Sequence, residues 1–148
     1  MIFAVLLLLS SSMVSPPLSD QPLGEISAFY SSNRAVVIVA QITGVIAAIA
    51  FALFVTMLST VLDAPQVKWT GLVVAAAAAV TSVPLLALAS LGANADPGIV
   101  RWTDLTDAVL FLAIAVFFGV LAGNGALPSW IRGLCVIGAG LTLVRGYL

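Results

Sequence analysis

Asp104 and Asp107 stand three residues apart in RWTDLTD, just before the apolar run AVLFLAIAVFFGVLAG. Carboxylates are scarce in this chain, 6 Asp and Glu among 148 residues, so two of them so close together need a reason. Residues at that spacing share one face of a helix. Such a pair could hold a proton or a cation, or do acid–base work. Ionisable groups with that role sit deep in the bilayer, whereas these two stand at the edge of the apolar run. The alternative is a capping box with an acid in place of Glu. Asp104 would be the helix cap and Asp107 the third helical position. Both would meet unpaired N–H groups and the positive end of the helix dipole, contributing about 0.5–1 kcal/mol each. Capping accounts for the spacing without a ligand, and it is the expectation taken forward.

Arg145 is the other unusual charge, near the end of the last apolar run after GAGLTLV. If the last two runs are antiparallel helices, Arg145 comes out level with Asp104 and Asp107. An Asp107–Arg145 pair is then expected, with Arg34 as the competing partner. Snorkelling of Arg145 to the interface is the alternative.

Other chemistry is limited by what is missing. The chain has no His, which removes His-ligated metals and His-dependent triads. Its one Cys, Cys135, lies in the apolar run GLCVIGAG and reads as a small hydrophobe. There is no Gly-rich phosphate loop with a Lys and no metal-spaced cluster. No catalytic, cofactor-binding or metal residue is expected, and the chain does not read as an enzyme. A formal charge of −1 without a basic stripe excludes nucleic acid as a partner.

The elements that carry these residues follow from composition. The chain is 62% hydrophobic and only 7% charged, with mean hydropathy +1.24. A soluble domain carries about 25% charged residues, so this surface must face lipid. A helical span needs about 20 apolar residues, within a range of about 17–25. Segments 34–62, 69–92, 107–123 and 130–148 fit, separated by stretches rich in Pro, Gly, Asn and Asp. Residues 2–15 form a shorter apolar run, either a stubby first span or a signal peptide without basic residues at its start. An interfacial helix is expected over about 24–33, running toward the next span.

Polar residues within the spans are few. Gln41 is the most expensive, read as hydrogen-bonding across helices or as a ligand contact. Pro84 should kink its segment, with Thr81 or Ser82 answering the freed carbonyl; Pro84 is also a possible ligand contact. Small residues recur where helices could pack closely: Ala115, Gly119 and Gly123 at intervals of four, and Gly44 with Ala48. AAAAA at 75–79 and GAG at 138–140 are further smooth surfaces.

Trp69 and Trp130 fall at span ends on one side of this scheme, and Tyr30, Trp102 and Tyr147 at span ends on the other, as interfacial aromatics do. Lys68 and Arg132 lie on the first side. Arg34, Arg101 and Arg145 lie on the second with Asp20, Glu25, Asp96, Asp104 and Asp107. This leans toward a cytoplasmic N-terminus and Lys68 loop, with the acidic loops outside.

AFYSSNRAVV and ALPSWIRGL together resemble a family of multi-span membrane proteins common in actinobacteria. The matching positions are Phe29, Tyr30, Asn33 and Arg34, then Leu127, Pro128, Trp130, Ile131 and Leu134. The resemblance reaches from about residue 24 to the end. It implies a membrane helix bundle and brings no established activity. The chain departs from the family in its stubby first segment and in LSTVLDAPQ, which lacks the basic residues usual there.

The whole chain, 1–148, therefore reads as one all-α domain, an integral membrane bundle of four or five transmembrane helices in the cell membrane. Its partners would be the lipid bilayer and other membrane protein subunits, as an accessory subunit of a larger assembly. The alternative is a carrier or receptor for a small apolar molecule or lipid.

Overall fold

Pro, Asn and Asp mark helix boundaries throughout. The computed structural model describes residues 21–91 and 97–147, without the side chains of 97 and 145–147. Five helices follow in order: α1 (Leu23–Ser32), α2 (Arg34–Val61), α3 (Pro65–Leu91), α4 (Pro97–Gly123) and α5 (Ser129–Tyr147). No strand occurs among the described residues, and the fold is an all-α helix bundle. Three helices, α2, α3 and α4, are long and apolar enough to cross a membrane; the apolar part of α5, Ser129–Val144, is shorter. The run at 2–15 lies outside the described residues, as do Asp20 and Asp96.

Helix α1 takes the place of the expected interfacial helix. Its first N–H groups are met by Pro22, whose carbonyl accepts from Glu25 N (2.9 Å) and Ile26 N (3.2 Å). Only Asn33 separates it from α2, and Asn33 barely interrupts the ladder. Its backbone N–H and its Nδ2 both donate to Phe29 O, at 2.9 and 3.0 Å. Its own carbonyl accepts from Val37 N at 2.9 Å. The segment is an extension of the helix that follows.

The α2–α3 connection is built from local geometry. Asp63 has φ 48, and Ala64 N donates to Ser59 O at 3.0 Å. That six-to-one bond around a left-handed residue is a Schellman ending, with Asp where Gly is usual. Ala64 O then accepts from Val67 N at 3.0 Å, and Pro65 takes the first position of α3, where its missing N–H costs nothing. After α4, Asn124 Oδ1 accepts from Ala126 N at 2.9 Å, an Asx turn. Pro128 O then receives Ile131 N and Arg132 N as α5 begins.

One expected boundary is corrected. The helix that carries the expected span 107–123 begins at Pro97 and not at Asp104, so most of the predicted polar loop is helix. Pro is tolerated at a first helical position, and Ile99 and Val100 give the added turns an apolar face that packs. The helix of 27 residues is about 40 Å long. It exceeds a hydrocarbon core of about 30 Å, so its polar first turns can stand outside lipid while 107–123 remains within.

The bundle divides into two packed units at Ala48/Ile49, Ala77/Ala78 and Thr106/Asp107. In the first, Ile26, Tyr30 and Val37 form one buried face of α1 and α2. They meet Leu88 and Ala89 of α3 and Val100 of α4. In the second, Val55, Val67, Val74, Ala113, Phe117, Leu121 and Cys135 form the core. Phe51 and Phe117 meet there edge to face, centroids 5.6 Å apart at 76°. Gly71 lets α2 and α3 touch: a Cβ on it would lie 2.7 Å from Val55 Cβ.

Candidate functional site

The residues singled out for chemistry are spread over α2, α3, α4 and α5. Asp104 is not a helix cap. Helix α4 starts about two turns earlier, so the N–H groups that follow Asp104 already belong to the ladder. Asp104 and Asp107 are both exposed on the helix surface. The hydroxyls between and before them turn inward along the helix, Thr103 Oγ1 to Ile99 O at 3.2 Å and Thr106 Oγ1 to Thr103 O at 2.9 Å. Arg34 is exposed and forms no ion pair among the described residues. The Arg145 side chain lies outside those described. Among the described residues no group of three or more His, Cys, Asp or Glu comes together.

Gln41 is half-buried, and its side-chain amide makes no hydrogen bond among the described residues. The cross-helix bond expected of it is absent there. Pro84 is buried within a continuous α3. The carbonyl it frees is that of Val80. Thr81 Oγ1 instead donates to Ala78 O at 2.8 Å, so the expected compensation does not come from Thr81.

The small-residue positions separate into used and unused faces. Ala48 and Ala115 are buried, and Gly44 is half-buried. Gly138 lies under the Phe118 ring, where an added Cβ would meet Cδ2 at 3.2 Å. Gly119 and Gly123 are exposed, and an added Cβ at either meets nothing within 4 Å. Their stripe is not a contact within the described chain.

Tyr30, expected at a span end, is 3% exposed and lies in the first core. The three tryptophans are exposed near helix ends, Trp69 at 65%, Trp102 at 61% and Trp130 at 67%. Beside Trp130, Arg132 Nε donates to Ala122 O at 2.9 Å. A cation thereby satisfies a carbonyl in the last turn of α4, at the negative end of its dipole.

A shallow concavity lies in the second unit, between α3 and α4. Helix α3 contributes Trp69, Thr70 and Val73; helix α4 contributes Val109, Leu112, Ala113 and Val116. The volume is about 360 Å3. Thr70 is the one polar residue of the wall, and its Oγ1 is turned away to Gln66 O at 2.7 Å. The groove therefore presents hydrocarbon and ring surface and can seat an apolar chain. At its Trp69 end lies Lys68, with Nζ 5.6 Å from the centre of the Trp69 ring, a cation–π contact. Sequence reading placed Trp69 and Lys68 at an interface but not the groove.

Compared with protein-family models, curated proteins and solved structures, the chain matches none.

Proposed function

We propose that the chain is a non-enzymatic, multi-pass integral protein of the cell membrane, serving as an accessory component of a larger membrane assembly. The observation that carries the membrane reading is how little the spans cover one another. Of their most apolar stretches, 22% is buried in α2, 33% in α3 and 28% in α4. The remaining apolar surface has to be covered by lipid or by other membrane helices. The open Gly119 and Gly123 positions favour a partner helix, because a surface without side chains lets another backbone approach. Together with α2, α3 and α4, helix α5 completes four crossings in this reading.

The α3–α4 groove favours a second reading, a carrier or receptor for an apolar molecule or lipid. Gln41 and Pro84 do not line that groove, so its ligand contacts would be Trp69, Val73 and Val116. Native mass spectrometry of gently solubilised protein separates the two. A stoichiometric protein partner is the expected result. Retention of a small apolar molecule without a protein partner would favour the carrier.

A further inference from the structure

We propose that the groove between α3 and α4 is a site for one chain of an anionic phospholipid, whose phosphate rests on Lys68. The inference builds on the membrane reading above and adds a headgroup class and a place. Lys68 is half-buried, and its one described contact is with the Trp69 ring. It forms no ion pair among the described residues. Three N–H donors on a cation thus stand without a carboxylate beside an apolar channel. An interfacial Trp sits at headgroup level, so its neighbour Lys68 lies at the height of a lipid phosphate. Below it the wall from Val116 to Val109 descends about 10 Å along α4. That is about a third of a hydrocarbon core about 30 Å thick, the depth of the upper part of one acyl chain. Charge at the mouth and hydrocarbon below match the two ends of one molecule. A soluble phosphate would use only Lys68, and an uncharged lipid only the groove.

The test uses the full chain in phosphatidylcholine vesicles with Trp102→Phe and Trp130→Phe, which leaves Trp69 as the sole tryptophan. Its fluorescence is quenched with acyl-brominated phosphatidylglycerol or with the same mole fraction of acyl-brominated phosphatidylcholine. Quenching by the anionic lipid should exceed that by the neutral one about fivefold at low salt. High salt should bring the ratio toward one without any substitution. Lys68→Gln should do the same and Lys68→Arg should preserve the ratio. Val116→Phe adds bulk to an exposed wall position and should lower both the anionic quenching and the ratio. A ratio near one in the parent, or one unmoved by salt or by Lys68→Gln, overturns the site. A ratio unchanged by Val116→Phe shows headgroups gathering at Lys68 without a seated chain, and overturns the groove. If neither lipid quenches the parent, the membrane reading itself fails.

Discussion

Among the described glycines, Gly71 leaves the least room for a side chain. Val55 is fully buried and lies where a Cβ on Gly71 would have to go, with Cβ, Cγ1 and Cγ2 all at 2.7 Å. Gly71→Ala should therefore lower stability by about 1–3 kcal/mol through overpacking, read as a fall in melting temperature in detergent. Adding Val55→Ala removes two of the three clashes but not the Cβ contact, so recovery should be partial. A Gly71→Ala protein that melts like the parent would show that α2 and α3 separate freely. Gln41 is the opposite case. It loses no described hydrogen bond on replacement, so Gln41→Leu should change stability by no more than about 0.5 kcal/mol. A larger loss in the same melting assay would reveal a polar partner for its amide.

At the scale of elements, the turns set how the helices follow one another. Asp63 adopts a left-handed conformation in which a side chain is strained, though Asp tolerates it better than most residues. Asp63→Gly should raise stability by about 0.5–1 kcal/mol, and Asp63→Val should lower it. Denaturant or thermal melts of both variants check the sign, and a loss with Gly would mean that the carboxylate matters more than the strain. Packing also gives the register of α4 against α5. Arg132 reaches Ala122, and Gly138 meets Phe118. Continuing that antiparallel run brings the backbone of residue 145 level with about Leu110, roughly one turn from Asp107. An Arg side chain can span one turn, so the Asp107–Arg145 pair stays the expectation for these charges. Asp107→Arg and Arg145→Asp should each lower the melting temperature, and the double exchange should restore much of it. No recovery would dismiss the pair.

For the whole molecule, the question is what covers the apolar surface that the helices leave open. Gly119→Leu tests this directly. No described neighbour stands in the way of a side chain there, so the isolated protein should keep its melting temperature. If the stripe meets a partner helix, the added bulk separates the two backbones and the complex seen by native mass spectrometry should be lost. An intact complex would mean that the stripe faces lipid.

Much of the architecture was legible without coordinates. Scarcity of charge and the length of the apolar runs determine a membrane-suited all-α chain, because about 20 apolar residues admit few alternatives. The breakers at Pro65 and Asn124 placed two boundaries to within about a turn. Tertiary structure decided the rest. In a nearly uniform apolar sequence, lipid-facing and protein-facing residues have the same chemistry, so the burial of Tyr30 and Val55 has no local signature. A motif also does not show where its helix begins. TDLTD has the spacing of a capping box, yet packing of Ile99 and Val100 carries α4 back to Pro97 and leaves both carboxylates within the helix. The groove beside Lys68 depends on how α3 and α4 sit against each other, and residues about forty positions apart in the chain share its wall.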